Sequence, residues 1–478
     1  MTRETQYTNG PLIRGEDLAL WSGGVWEGGS ADVRGVTQDG RHMIPGGLYV
    51  ALKGENHDGH AYVLQAQQGG AAAALVRHDW PRAEGVVLPL LRVAETRSAL
   101  GLAAAGRRRA LHTFVLGITG SVGKTTTKEL AAAVFSGAGP VHATRGNLNN
   151  DIGLPLTLLG MPAGTNVGVI EAGTNHPGEI AYLCRILKPD AAILTAVGPV
   201  HLAHFGSEAA IADEKADLIR SVPERGFAVI DAAGAHAPYL RAQAACRIIS
   251  VRLDEGGGEA DYLGTREDAD GGVVRVCERA SGESFVLRSG LPGRHNAVNL
   301  LLAVAAGRAT GMAWRMIEQG LAQVAMPAMR WQRTEGDGLV SINDAYNANP
   351  PAMRCALETF ARTAAAARRV VVLGDMRELG EASERFHREL GRTVAAGPWG
   401  LIVAVGADAR WIAEEAVAAG FPAGAVCHFD DTAAAVRGIR DLLKPGDTLL
   451  FKASRGMELE RVEAAALAAP AGCDPRRD

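Results

Sequence analysis

The 478-residue sequence predicts an α/β protein of three domains, with a P-loop (phosphate-loop) parallel-sheet domain in the middle and a second doubly wound domain at the carboxyl end. Three observations predict it. The length exceeds what one core ordinarily organises, at roughly 100 to 200 residues per domain. Apolar runs alternate with Ala-rich helical stretches twice along the chain, the pattern of parallel strands joined by crossover helices. A Gly-rich turn stands between one such strand and the helix after it.

The first hundred residues carry short β-type runs, Leu48 to Leu52 and Ala72 to Val76, around a helical segment after Gly59. They make a small α/β domain over residues 1–108. From Thr113 the alternating series begins, with strands expected at Phe114 to Ile118, Val167 to Ile170, Ala191 to Val197 and Phe227 to Ile230; it fills a central domain over residues 109–326. Within it, the Gly- and Asp-rich stretch Asp254 to Gly272 leads into β-like segments that read as a peripheral hairpin. Met326-Pro327 is the candidate hinge. Beyond it, strands are expected at Leu339 to Ile342, Arg369 to Leu373, Leu401 to Val405 and Thr448 to Phe451, a Rossmann-like domain over residues 327–478. Ala364 to Ala367 reads as part of a helix packed on that sheet rather than as low complexity.

Hydrophobic residues at 47% and charged residues at 21% fit a soluble globular chain and exclude disorder as the default. A net charge of -4 gives no reason to expect nucleic acid or an anionic membrane as partner. The run Arg107-Arg108-Arg109 reads as a solvated helix end near a linker. Six cysteines, Cys184, Cys246, Cys277, Cys355, Cys427 and Cys473, show no C-x-x-C spacing, so no zinc ribbon or disulfide framework is indicated. With a polar amino terminus and no apolar run long enough to span a bilayer, the expectation is a cytoplasmic protein with reduced thiols and no membrane span.

The strongest local signal is the segment Gly117-Ile118-Thr119-Gly120-Ser121-Val122-Gly123-Lys124-Thr125-Thr126. Glycines let the backbone curl so that N–H groups face a phosphate chain; Lys124 adds positive charge and Thr125 a hydroxyl for Mg²⁺. The spacing departs from the common loop, because Ile118 stands where its first glycine would fall. ATP is the expected ligand, held by Gly120 to Thr126. Residues ending neighbouring strands should converge on this loop, and two stand out. Glu171 follows one strand and His201 another, and a carboxylate and a neutral imidazole can both ligate a divalent cation. An ordinary strand-end carboxylate and a hydrogen-bonded loop histidine fit the spacing at least as well.

The phosphate loop and its surroundings resemble the Mur ligase family over nearly the whole chain. The matching stretches are Thr119 to Thr126, Asn147-Leu148-Asn149-Asn150 with Gly153 and Pro155, Glu171 to Asn175, His201 to Ser207, and Gly293-Arg294-His295-Asn296 with Asn299. Three more pieces are similar to the family member that adds D-alanyl-D-alanine to UDP-N-acetylmuramoyl-tripeptide: Asp344 to Pro350, Leu373 to Met376 with Glu378-Leu379-Gly380, and Pro45 to His60. The resemblance implies ATP-dependent amide formation through an acyl phosphate by a monomer that needs Mg²⁺. It implies adenine contacts at Asn296 and Asn299, a γ-phosphate contact at Arg330 and a ribose contact at Asp344. Thr37, Asp39, Arg41 and Lys53 become candidates for the UDP-sugar end, and Asn147, Asn150 and Asn347 for other substrate contacts. Lys215 alone reads as a solvated helix lysine flanked by acids; the resemblance makes it a carbamylated, anionic partner of the Mg²⁺. Lys452 to Arg455 with Met457-Glu458 is similar to a late family motif, and a strand-to-helix cap at Ser454 is the plainer alternative. Ala203, Asn343 and Ala345 depart from the family pattern. A sister amide ligase with another amine, or a nucleotide-dependent switch, stays open as an alternative.

Overall fold

The computed structural model describes residues 10–468 apart from 56, 201, 255–256, 269–271 and 364–367. Three main sheets follow one another along the chain. In the first unit, a five-stranded sheet runs in the order Val25–Glu27, Leu90–Val93, Ala73–Arg77, Leu48–Val50, Val36–Thr37. Its strands are parallel except at the Val25–Glu27 edge. The helix Thr96–Ala110 starts where the Glu95 carboxylate accepts the N–H groups of Arg97 and Ser98.

That helix corrects the reading of the arginine run. Arg107 is buried and donates to the Met161 carbonyl at 2.9 Å. Arg108 donates to the Leu187 carbonyl at 3.0 Å and to the Asp190 carboxylate at 2.7 Å. Only Arg109 faces solvent. The end of the helix is therefore an anchor of the first unit onto the central sheet, where carbonyls at helix and loop ends need donors.

The central sheet has nine strands in the order Ser284–Arg288, Val273–Glu278, Tyr262–Arg266, Arg247–Leu253, Phe227–Asp231, Ala191–Leu194, Phe114–Thr119, Val167–Glu171, Val141–Ala143. The strands from Val141–Ala143 to Tyr262–Arg266 are parallel, and the remaining two are antiparallel. Side chains alternate between two cores: Val115, Ile170 and Leu194 pack on one face and Leu116, Val169 and Ile193 on the other. A strand buried on both sides must be apolar throughout, which is why these runs stood out. The expected peripheral hairpin is instead a continuation of this sheet, and its first strand, Tyr262–Arg266, falls inside the Gly- and Asp-rich stretch. Gly264 makes that possible, because a Cβ there would lie 2.6 Å from Leu301 on the covering helix Arg294–Ala309.

The third sheet runs Gln332–Gly336, Leu339–Asn343, Asp447–Lys452, Arg368–Gly374, Leu401–Val405, Val426–Phe429. It is parallel beyond the opening hairpin. The Asn349 side chain accepts from the Ala352 N–H at 3.0 Å and caps the helix Pro350–Thr363. Ser454 is no such cap: its hydroxyl accepts from the Arg377 N–H at 2.9 Å and makes no cap bond to the short turn that follows. Ala364 to Ala367 and Cys473 lie outside the described residues, and the five other cysteines are free thiols. No described helix is long and apolar enough to cross a membrane.

Candidate active site

Phe114–Thr119 lies between Val167–Glu171 and Ala191–Leu194, and the chain leaves it on one side before returning on the other. Ligands of open α/β sheets bind at the carboxyl ends of strands at such a reversal. The loop after Thr119 is tied down before any ligand arrives. The Ser121 N–H donates to the Ala196 carbonyl at 2.6 Å and its hydroxyl donates to the Gly198 carbonyl at 3.0 Å. Thr195 Oγ1 donates to the Val122 carbonyl at 2.6 Å. Gly120 and Gly123 have φ of 153° and 84°, and a Cβ would meet Thr195 Oγ1 at 1.9 Å in one case and Asn299 Oδ1 at 2.6 Å in the other. Only glycine fits either position.

Lys124 opens the helix Lys124–Ser136 and donates to the Gly120 carbonyl at 2.8 Å, arching over its own loop. Burial lowers its pKa, Arg330 adds to that, and Glu171 opposes it. Thr125 is buried and Thr126 half-buried on the first turn. Glu171 is 2% exposed. One of its oxygens accepts from Asn149 Nδ2 at 2.7 Å, and the other is buried without a partner. Its N–H donates to Thr144 Oγ1 at 2.9 Å, and Thr144 offers its carbonyl to the buried Lys128 at 2.7 Å. A buried carboxylate oxygen lacking a donor is costly unless something positive meets it, so the site fits a divalent cation. Among the described residues no group of three or more His, Cys, Asp and Glu converges. Asn149 was passed over in favour of its neighbours Asn147 and Asn150. Its position between them, two residues after Asn147 and next to Asn150, gives no signal that it turns toward Glu171. His201 lies outside the described residues.

Lys215 is buried, not solvated, on the helix Glu208–Arg220. Burial pulls its pKa to about 7; Lys124 acts in the same direction, and Glu214 and Glu179 oppose. Glu214 faces inward as well, accepting the N–H groups of Gly178 and Ile180 at 2.7 and 2.8 Å, whereas Asp213 is on the outer side with Arg220.

The carboxy-terminal unit reaches the same place. Arg330 acts on Lys124, and a cleft of about 720 Å³ opens beside it, lined in part by Arg288, Leu291, Met326, Pro327 and Trp331. Asp344 is paired with Lys452 at 2.6 Å. Both act on His295 of the central unit, whose pKa burial lowers to about 4, with Asp344 opposing and Lys452 assisting. Beside it, Asn296 donates to the Pro292 carbonyl at 2.7 Å, and Asn299 donates to Asn296 at 3.3 Å. Lys124, Glu171, Lys215 and Arg330 thus form one electrostatic cluster drawn from two units.

Three family models match consecutive parts of the chain: the Mur ligase family, catalytic domain over residues 32–108, the Mur ligase middle domain over 118–307, and the Mur ligase, glutamate ligase domain over 329–455. The UDP-N-acetylmuramoyl-tripeptide--D-alanyl-D-alanine ligase of Escherichia coli (strain K12) is 35% identical over 92% of this chain and 95% of its own length. The enzyme of that name from Bacillus subtilis (strain 168) is 34% identical over 90% and 92%. The chain belongs to the Mur ligase family. Its three-unit architecture matches a crystal structure of MurF from Acinetobacter baumannii with a TM-score of 0.85 at 32% identity, covering 96% of this chain and 99% of that one. The MurF ligase of Thermotoga maritima, solved in complex with ADP, gives 0.75 at 27% identity, covering 91% and 97%. This Mur ligase is accordingly an enzyme, which sets aside a mere nucleotide switch.

The remaining sequence candidates of the ligase are exposed or engaged locally. Thr37 is buried and its hydroxyl accepts from the Asp39 N–H at 3.1 Å. Asp39 forms two 2.9 Å bonds with Arg41, which hold its carboxyl well below the usual range. Arg41 and Lys53 are exposed. Asn147 and Asn347 are exposed too, and the Asn150 side chain accepts the Gly153 N–H at 2.8 Å where the helix Gly153–Leu159 begins.

Proposed function

We propose that this ligase joins D-alanyl-D-alanine to UDP-N-acetylmuramoyl-tripeptide at the expense of ATP, as a cytoplasmic monomer that uses Mg²⁺. The observation that carries the site reading is that Glu171, which keeps one buried oxygen without a partner, and Arg330 both act electrostatically on Lys124. A carboxylate does not react with an amine at neutral pH, so the γ-phosphate is first moved onto the peptide carboxylate and the amine then displaces it. Phosphoryl transfer demands positioning and charge stabilisation above all. Gly120, Val122 and Gly123 shape the phosphate cradle, and Lys124 and Arg330 place positive charge on the transferring group. Thr125 and Glu171 would hold Mg²⁺, together with His201 and Lys215, and the bound ion would neutralise phosphate charge.

Lys215 fits its role because an amine with a pKa of about 7 is substantially unprotonated at neutral pH, the form that CO₂ converts to a carbamate. Asn296 and Asn299 would face the adenine and Asp344 the ribose, while Thr37, Asp39, Arg41 and Lys53 would receive the UDP-sugar end. Asn147, Asn150 and Asn347 are assigned to the remaining substrate contacts. Domain limits at 108/109 and 326/327 put the hinge at Met326-Pro327, from which closure would shield the acyl phosphate from water. The test mixes the chain with ATP, Mg²⁺, UDP-N-acetylmuramoyl-tripeptide and D-alanyl-D-alanine or other amines, and identifies the product by mass. The dipeptide adduct with ADP and orthophosphate is expected; product with a different amine only would assign a sister ligase activity.

A further inference from the structure

Arg330 stands at the junction of two units and rests against an aromatic ring. Its guanidinium carbon lies 4.3 Å from the centre of the Tyr346 ring. Its buried Nε has no hydrogen-bond partner, and among the described residues no carboxylate pairs with it. The backbone on both sides is fixed. Met329 and Trp331 have φ of 59° and 55°, values that residues other than glycine seldom adopt. The Met329 N–H donates to Gln332 Oε1 at 3.0 Å, and the Tyr346 N–H donates to the Met329 carbonyl at 3.2 Å. Arg330 and Tyr346 are therefore braced against each other through the main chain as well as through their side chains.

We propose that Tyr346 is a positioning residue for Arg330, holding the guanidinium by its face so that its edge and its charge stay available to the transferring phosphate. The inference rests on the ligase reading of Arg330. A guanidinium is planar, and its N–H donors lie in that plane, while its flat face stacks on an aromatic ring. A carboxylate partner would hold the side chain as firmly but would occupy the same donors and cancel the charge, as Asp344 does for Lys452. The ring attracts the cation and competes for no donor. The phenol hydroxyl has no part in this, so the function should follow the ring and not the oxygen.

The test compares Tyr346→Phe, Tyr346→Leu, Arg330→Ala and the double variant Arg330→Ala/Tyr346→Leu in the full-length chain, with product formation and ATP binding measured separately. Tyr346→Phe should keep kcat within about twofold of wild type, and Tyr346→Leu should lower kcat roughly three- to thirty-fold, the range that a cation–π contact supports. ATP affinity should stay within about twofold in both, because the phosphate loop is untouched. In the Arg330→Ala background, Tyr346→Leu should cost nothing further. Equal losses in the Phe and Leu variants, or additive losses in the double variant, overturn the inference. Should Tyr346→Leu fail to fold, Tyr346→Gln carries the same comparison. A wild-type chain that forms no product with any amine overturns the ligase reading and this inference with it, whereas additive losses in an active wild type overturn the inference alone.

Discussion

The carboxyl edge of the central sheet and the Thr37 to Lys53 region of the first unit both present charged side chains, in opposite ways. At the central edge the groups are buried and braced. Glu171 is fixed by Asn149 and Thr144, Lys124 by its own loop, and Lys215 is enclosed at 2% exposure. In the first unit Arg41 and Lys53 stand in solvent, and Asp39 is occupied by Arg41. Charges held in a dry, prearranged site act on a reaction with little reorganisation, whereas exposed charges are screened and contribute to capture. Under the proposed function, the difference would put chemistry at the central edge and recognition in the first unit, and it ranks the expected effects of mutation.

The sharpest break is Lys124→Ala. Removing a charge aimed at a transferring phosphate should lower kcat by about three orders of magnitude. The loop keeps its ties through Ser121 and Thr195, so circular dichroism should report an unchanged fold. Near-normal turnover would remove the phosphate loop from the chemistry.

Lys215 comes next. Lys215→Ala should be nearly inactive, with turnover partly restored by a short carboxylic acid added to the assay; an active variant would make the lysine structural. Burial also makes it a stability determinant with a definite sign. Its pKa falls from 10.5 to about 7 on folding, so between those values the unfolded chain binds more protons than the folded one. In CO₂-free buffer the destabilisation is complete below pH 7 and fades as pH rises toward 10.5, over a range worth at most about 5 kcal/mol. Lys215→Met should therefore gain stability over wild type in urea melts at pH 6, and the gain should shrink by pH 10. A gain independent of pH would mean that the amine is not neutralised on folding.

Asn149→Ala tests the bracing itself. A hydrogen bond to a charged group contributes about 1.5 to 3 kcal/mol, so a kcat loss of roughly ten- to a hundred-fold is expected, accompanied by a higher Mg²⁺ requirement. An unchanged Mg²⁺ dependence would show that Glu171 needs no orientation. This residue also marks the limit of what could be read from the sequence. The phosphate loop was legible because its glycines and lysine are fixed by local geometry, and the parallel strands were legible because burial on two faces leaves long apolar runs. Asn149 was not, since three asparagines in one loop differ only in where the backbone turns them. Arg107 and Arg108 were misread for a related reason: a basic helix end looks the same whether it meets water or the carbonyls of another unit. Lys215 has acidic neighbours that suit a solvated face, and only the fold shows that Glu214 and Asp213 point opposite ways. The strand Tyr262–Arg266 hid in a Gly-rich segment because Gly264 serves packing against Leu301, not a turn.

The smallest effect is expected in the first unit, at Asp39→Asn. The carboxylate lies on an open surface with Arg41, whose side chain is 76% exposed, and ion pairs of that kind add little to folding. The melting temperature should accordingly stay at the wild-type value within measurement error. Recognition should respond differently. Without its pairing to Asp39, Arg41 loses the geometry that would present it to the UDP-linked substrate, although its charge remains. The expected result is a several-fold rise in the KM for the UDP-linked substrate, with kcat and the KM for ATP unchanged, because uniform binding is removed and nothing made only in the transition state is touched. A fall in kcat would carry the first unit into the chemistry and erase the division between the two regions. An unchanged KM would leave Asp39 and Arg41 as a surface pair, with Lys53 as the remaining candidate cation for that end of the substrate.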